Sequence, residues 1–223
     1  VAITVMGVLA ALGARMLSGP AKTFVQGGDR MILIDTAERA LRRMSDEVRA
    51  SRPNSLRVTQ SGAVAWIEFL PASEFGRGRM KAAASGAPGD FLDFENTADD
   101  RFDVFGPLPT LYSDSQLVIN NLGTTEGDAW TGNNRRAGLS VDSVAGKLIF
   151  TPSGAFPSEP PTGRFALIRG PVSFRCEGAT DSQGAGTGTL RRYDGYAIQS
   201  SQPVNEAAAP LTGATMHVLA TQV

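Results

Sequence analysis

The sequence predicts an α+β protein in which a long N-terminal helical spine packs on a C-terminal, antiparallel, β-rich domain. Residues 1–14 are apolar on every side, and from residue 29 to residue 52 apolar residues recur at the spacing of about 3.6 that is typical of a helix. After Pro53 the pattern changes to short apolar runs separated by glycine, proline, asparagine and aspartate, which is typical of strands and turns. A sheet packed on the amphipathic half of the helix would bury both apolar faces, as an α+β domain requires.

We divide the chain into three segments. Residues 1–28 form the hydrophobic, membrane-competent half of the helix, residues 29–53 its amphipathic half, and residues 54–223 a β-rich globular domain. We expect the natural protein to continue beyond both ends of this chain.

The first segment begins with Val1–Ala14, which is apolar on every side and must be buried in protein or lipid. At about 1.5 Å per residue it is shorter than the roughly 30 Å hydrocarbon core, so we expect upstream residues to complete a membrane span. The alternative is a cleaved secretory signal with a small-residue site at Ala11–Ala14. The side chains of this membrane or filament-core helix are Val1, Ile3, Val5, Met6, Val8, Leu9 and Leu12.

The spine is predicted to break between Ser18 and Gly28, because Pro20 and the Gly27–Gly28 pair both weaken a helix. The second segment is better specified, since acidic residues precede arginines by four positions on its polar face. The predicted spine-to-sheet contact consists of Leu33, Ala37, Leu41, Met44 and Val48 on the helix with Ile67 and Phe69 on the sheet.

The remainder of the chain is predicted to form short strands. Ser61–Gly62 is predicted to be a two-residue hairpin turn. The predicted strands are 56–60, 63–70, 91–94, 116–122, 139–142, 147–151, 165–168, 172–176, 190–193, 196–198 and 216–220. Trp130 lies in a polar loop, either as an anchor onto the domain, which we favour, or as a contact for a partner.

The composition excludes several kinds of site chemistry. One cysteine, Cys176, and one histidine, His217, are too few for a Cys/His zinc site, and a net charge of −1 gives no case for nucleic acid. Asp99, Asp100 and Asp103 lack EF-hand spacing, so a solvated loop is favoured over an ion site. No Gly-x-Ser-x-Gly elbow is present, and the Gly184–Gly188 loop lacks the P-loop lysine. We therefore predict no catalytic, cofactor-binding or metal-binding residue, and no enzyme.

The apolar start resembles a known family. Val1–Gly13, with its glycine at Gly7, resembles the second half of the N-terminal helix of type IV pilins and type II secretion pseudopilins. The phenylalanine and glutamate that follow the prepilin peptidase cut in those families would lie before Val1.

Further motifs, in the same order along the chain, resemble the MshO-type minor pilins of mannose-sensitive haemagglutinin (MSHA) pilus biogenesis. They are Arg52–Val58, Asn134–Arg136, Arg164–Cys176 and Thr189–Tyr196.

The resemblance implies a type IV pilin-like fold and a non-catalytic subunit that acts in assembly or initiation of an MSHA-type type IV pilus. It implies an inner-membrane location with a periplasmic domain, and incorporation into a surface pilus. The implied partners are other major and minor pilins, the inner membrane through the N-terminal helix, and the prepilin peptidase. A minor pseudopilin of a type II secretion system is the alternative. Outside this family, the remaining hypotheses are a secreted hydrolase and a carbohydrate-binding adhesin that uses Trp130, Tyr193 and Tyr196.

Cys176 is an odd cysteine in a protein expected to be exported to an oxidising compartment. In the proteins that the chain resembles, further strands follow a segment like Met216–Val223, often with a cysteine near their start. We therefore expect a disulfide between Cys176 and a cysteine beyond Val223. A free buried thiol is the alternative.

Overall fold

The computed structural model describes residues 6, 27, 28, 30–82, 84, 86 and 88–222. These residues contain a helix, α1 (30–49), and two antiparallel sheets. The strands are β1 (Arg57–Ser61), β2 (Val64–Phe69), β3 (Ala72–Gly78), β4 (Arg101–Phe105), β5 (Gln116–Ile119), β6 (Arg135–Arg136), β7 (Ser140–Asp142), β8 (Lys147–Ile149), β9 (Arg164–Ile168), β10 (Val172–Glu177), β11 (Thr189–Asp194) and β12 (Thr215–Thr221). A short 3-10 helix at Leu211–Gly213 precedes β12.

The predicted fold class is wrong. In the residues that the structure describes, the protein is mostly β-sheet with 13% helical content, and these residues do not form a long N-terminal helical spine on a β domain. The strand pattern after Pro53 accounts for most of the described chain, whereas the helix pattern yields α1 as its extended helical element there. Of the predicted break between Ser18 and Gly28, the structure describes Gly27 and Gly28, and both are helical. The rest of that stretch and the apolar side chains before it, other than Met6, lie outside the described residues. Met6 is exposed.

The predicted inner-membrane location is also wrong. Among the residues that the structure describes, no helix combines the length and the apolar character needed to cross a bilayer. Helix α1 carries four ion pairs within its own length, including Asp35 with Arg39 and Glu38 with Arg42. Charged residues of this kind are costly in the hydrocarbon core.

The five-stranded sheet has the order β1-β2-β10-β11-β12. Helix α1 packs on one face of this sheet, over an aromatic pair in which Phe69 stacks on Phe174 with ring centroids 5.9 Å apart. The other face is covered by the chain between β11 and β12, whose Tyr196 and Leu211 pack on Trp66. The sheet is therefore buried on both sides over its central strands.

The seven-stranded sheet has the order β6-β5-β9-β3-β4-β8-β7 and encloses the largest core. Two glycines of β3 make this core possible. A side chain at Gly76 would meet the Phe165 ring at 2.2 Å, and one at Gly78 would meet the Phe102 ring at 2.4 Å. The aromatic rings thus lie directly on the backbone of β3. The buried members of this core are Met80, Leu92, Phe102, Leu117, Ile119, Leu148, Phe150, Phe156, Phe165 and Leu167.

Local strand predictions are confirmed where alternation and turn residues coincide. The β1–β2 hairpin forms as predicted, but its two-residue turn is Gly62–Ala63, one residue later than predicted, because Ser61 pairs with Val64 and Gly62 has a φ of 58°. The predictions of strands at 91–94 and 196–198 are wrong, because both segments are irregular. Residues 196–198 belong to the covering segment between β11 and β12, in which Tyr196 is buried and Ile198 partly buried by covering a sheet instead of joining one.

Candidate protein-interaction surface

One side of α1 holds the helix on the five-stranded sheet. Ala40 packs with Leu190 and Ala220, while Met44 and Val48 pack against the cluster around Phe69. An ion pair sits beside this contact, because Arg192 of β11 donates through Nε to Glu47 Oε2 at 2.8 Å. Glu47 lies seven residues after Ala40 and thus on the same side of the helix, so the ion pair and the apolar contact fix one rotation of α1.

This rotation corrects two predicted contacts. Leu33 is 40% exposed and Leu41 is 62% exposed, although both were predicted to be buried against the sheet. The sheet meets the side of α1 that carries Ala40 and Met44, which leaves Leu41 on a flank of the helix. Ala37 is partly buried, and Ile67 is partly buried within the Phe69 cluster.

The beginning of α1 is apolar and exposed. Met31, Ile32, Leu33 and Ile34 are exposed by 75%, 66%, 40% and 58%. Four successive residues span about 300° around a helix axis. Every side of this turn therefore faces outward, in contrast to the later turns of the same helix. We call Met31, Ile32, Leu33, Ile34 and Leu41 the α1 apolar surface.

An exposed apolar side chain of β1 lies on the same side of the sheet as α1. Val58 of β1 is 61% exposed and pairs with Ile67, which packs in the cluster under Met44. Residues paired in register share one face of a sheet, so Val58 points to the face that carries α1. Because Ala40 packs toward β12 and Val48 toward β2, Val58 lies toward the end of α1 and away from its apolar start. The α1 apolar surface is therefore a patch of its own, and exposed apolar patches mark sites of protein–protein contact.

Four charged residues of α1 pair with each other within the helix. Asp35 pairs with Arg39 and Glu38 with Arg42, each four residues apart, as the sequence predicted. A hydrogen bond to Glu38 raises the pKa of Arg42. These four residues therefore offer no unpaired charge beside the α1 apolar surface.

A second notable site is a buried polar network on the opposite face of the five-stranded sheet. Glu68 of β2 has no exposed surface, and it accepts hydrogen bonds from Arg57 Nε at 2.5 Å and Tyr196 Oη at 2.8 Å. The Tyr196 hydroxyl also lies 2.6 Å from Ser173 Oγ. Burial raises the pKa of Glu68, and the hydrogen bonds from Arg57 and Tyr196 oppose that rise. Burial also raises the pKa of Tyr196. The sequence placed Glu68 on this face but gave no signal for its partners.

Trp130 is confirmed as an anchor. Its side chain is buried, its indole Nε1 donates to the Ser55 carbonyl at 3.0 Å, and the Arg57 guanidinium stacks on its ring at 3.7 Å. Tyr193 and Tyr196 are buried as well. The three aromatic side chains that the adhesin hypothesis assigned to sugar stacking are therefore part of the core.

The acidic loop and the cysteine carry no assembled site. Asp99 Oδ2 accepts from the Asp93 amide at 2.6 Å, and Asp100 and Asp103 pair with arginines. Within the described residues, no group of three or more His, Cys, Asp or Glu side chains is arranged to hold a metal ion. Cys176 is exposed, so the alternative of a buried thiol is wrong, and its expected partner lies beyond Val223.

A cleft of about 600 Å³ opens between the two sheets, near the β9–β10 turn. Its arginines are already paired, since Arg169 Nε lies 2.8 Å from Asp114 Oδ1 and Arg192 binds Glu47. These two arginines therefore present no unpaired charge to a ligand.

The comparisons with protein-family models, with curated proteins and with solved structures found no match to this chain.

Proposed function

We propose that this protein is a non-catalytic, minor-pilin-like subunit that acts in assembly or initiation of an MSHA-type type IV pilus. The α1 apolar surface is its contact with other pilin-like subunits. The proposal joins two supports, the ordered set of motifs that resemble minor pilins and the exposed apolar start of α1.

The α1 apolar surface is the observation that carries the proposal. Met31, Ile32 and Ile34 are each more than half exposed on consecutive sides of one helical turn. Burying a large apolar side chain is worth about 1.5–3 kcal/mol, so this turn gains stability when another protein covers it. Subunits that join an assembly through a helix need such a surface and need no catalytic side chains.

The partner we assign to this surface is an apolar helix of another pilin-like subunit. The ion pairs Asp35–Arg39 and Glu38–Arg42 neutralise the four charges that follow Ile34 on α1, which suits packing against another helix that is apolar.

The test is made in the bacterium that encodes the chain. Deletion of the gene should strongly reduce surface pili counted by electron microscopy, and the wild-type gene should restore them. The double variant Ile32→Glu/Ile34→Glu should be produced at normal levels and fail to restore pili. Val144→Glu is the matched control, because Val144 is 98% exposed in the β7–β8 turn, far in sequence from α1.

Three outcomes count against the proposal. Normal pili after deletion would contradict a role in pilus assembly, and loss of type II secretion instead would support the pseudopilin alternative. Full restoration of pili by the double variant would show that pilus assembly does not need the α1 apolar surface.

A further inference from the structure

The outer face of the seven-stranded sheet is covered on one side and open on the other. Val118 of β5 packs with Trp130, so the sheet is buried there. Phe75 of β3 lies on the same face, because both it and Val118 pair with Ala166 of β9. Phe75 is 62% exposed, and Phe105 of the neighbouring strand β4 is 51% exposed. Two large aromatic rings are thus open to a partner on adjacent strands.

The strand register places two arginines beside these rings. Arg77 of β3 pairs with Phe105 of β4 on one side and with Arg164 of β9 on the other. Directly paired residues share a face, with Cβ atoms about 4.5–5.5 Å apart. Phe75 lies two residues before Arg77 on the same face, because the register shift of β3 comes before Glu74. We call Phe75, Arg77, Phe105 and Arg164 the Arg77 surface.

The two arginines of this surface are not balanced by acids. Both are exposed, and no carboxylate of the described chain forms an ion pair with either one. Two neighbouring basic side chains do have acidic partners, since Arg79 Nε lies 3.1 Å from Asp103 Oδ2 and Lys147 pairs with Asp90. Like charges placed directly opposite each other destabilise an antiparallel pair of strands. An anion bound between the two guanidinium groups would remove this repulsion.

We propose that the Arg77 surface binds an acidic segment of another protein, with a carboxylate between the two guanidinium groups and an apolar side chain on the Phe75 ring. Arginine binds carboxylates through paired, charge-assisted hydrogen bonds. Aromatic residues and arginine are also enriched in protein–protein interfaces. This inference does not depend on the proposed function.

The small amount of charge favours a protein partner over a polyanion. Nucleic-acid binding rests on many phosphate contacts made by a stripe of clustered lysines and arginines. Anionic lipids are recognised by clusters of about four to eight basic residues. The Arg77 surface offers two arginines, and its basic neighbours Arg79 and Lys147 are held by acids. One or two carboxylates match it in charge.

A peptide titration of the purified full chain, followed by ¹H–¹⁵N NMR, tests the proposal. The probe is the blocked pentapeptide Ser-Glu-Phe-Glu-Ser, and the comparison peptide has glutamine in place of glutamate. The glutamate peptide should shift amide signals of β3, β4 and β9 around the Arg77 surface. The glutamine peptide should bind about tenfold more weakly, because it cannot form charge-assisted hydrogen bonds with arginine.

Charge reversal distinguishes this site from a general effect of charge. Arg77→Glu/Arg164→Glu should lose binding of the glutamate peptide and gain binding of Ser-Lys-Phe-Lys-Ser. Phe75→Ala should weaken binding of the glutamate peptide without reversing the preference. The matched control is Arg49→Glu, which should bind as the wild type does, because Arg49 is an arginine of α1 with a side chain that is 78% exposed.

A stability measurement without peptide checks the like-charge pair. Arg164→Gln should raise the urea midpoint of the free chain at low salt, and the gain should shrink in about 1 M salt, where the repulsion is screened. A lower midpoint than wild type at low salt would show that the chain itself already holds Arg164, and would overturn the proposal.

Three binding results would also overturn it. The first is equal binding of the glutamate and glutamine peptides, and the second is unchanged binding by the charge-reversed chain. The third is tighter binding of a single-stranded oligonucleotide or of phosphatidylglycerol vesicles than of the glutamate peptide, which would identify a polyanion as the ligand.

Discussion

The Glu68 network and the start of α1 invert the usual distribution of polar and apolar side chains. Glu68 is a carboxylate with no exposed surface, whereas Ile32 is an apolar side chain that is 66% exposed. The buried acid has its partners inside the domain, in Arg57 and Tyr196. No residue of the described chain buries Ile32. A polar group that is satisfied internally belongs to the fold, and an apolar group that is left uncovered indicates contact with another protein.

The comparison also separates stability from assembly. Substitutions in the Glu68 network should lower the stability of the fold, and the molecules that still fold should bind a partner normally. Substitutions in the α1 apolar surface should weaken partner binding and leave stability unchanged. Substitutions on the packed side of α1 should have an intermediate effect on stability, because its contacts are apolar and internal.

The largest expected loss of stability comes from a substitution in the Glu68 network. Arg57→Met should lower the free energy of unfolding by about 3–5 kcal/mol, because it leaves the buried Glu68 carboxylate without its cation. It also removes the guanidinium from the Trp130 ring. Chemical denaturation with a fluorescence or circular-dichroism readout measures this loss. The control is Arg57→Met/Glu68→Gln, which removes both charges and should recover part of the stability.

The Arg57–Glu68 pair should also make the stability deficit of Arg57→Met depend on pH, in a direction that follows from the pKa of Glu68. Burial raises the folded-state pKa of Glu68 above its ordinary value, so the protonated form favours folding and this contribution is lost as the pH rises through the folded pKa. Removing Arg57 takes away a hydrogen bond that lowers that pKa. The deficit of Arg57→Met relative to wild type should therefore be larger at about pH 8 than at about pH 5.

Glu68→Gln in the same background should flatten that difference. A deficit that is independent of pH would show that Glu68 is not the group left unpaired.

A smaller effect distinguishes the two sides of α1. Met44→Ala should cost about 2 kcal/mol, the lower end of the range for a buried methionine, since Met44 packs on the Phe69 cluster but is only partly buried. Leu41→Ala should change stability by less than about 0.5 kcal/mol, because Leu41 is an exposed side chain. Thermal melts of the two variants check this directly. Equal losses would place Leu41 in the core and contradict the rotation of α1.

The sequence predicted local elements better than their assembly. Alternation and turn residues identified the β1–β2 hairpin and its turn at Gly62, since both signals are local. They did not identify β3, because its glycines look like turn residues. Gly76 and Gly78 are needed there since the Phe165 and Phe102 rings lie on the strand, a contact with residues far along the chain. The local sequence pattern does not indicate such a long-range contact.

The prediction of which side of α1 packs on the sheet was wrong for the same reason. The periodicity of Leu33, Leu41 and Met44 predicted an apolar stripe and could not say which edge of it the sheet would meet. The Glu47–Arg192 ion pair joins residues 145 positions apart and helps to decide that edge. Similarly, Glu68 was recognisable as a strand residue, but its burial depends on Tyr196, which the sequence assigned to a strand instead of a covering segment.

The central claim is that the start of α1 contacts another pilin-like subunit. The most direct measurement places the photo-crosslinker p-benzoylphenylalanine at Ile32 in the full chain, in living cells, and identifies the adduct by mass spectrometry. The account predicts a covalent adduct with another pilin-like subunit at Ile32 and none when the crosslinker is placed at Val144. The absence of an adduct at Ile32, or the same adducts from both positions, would contradict the account.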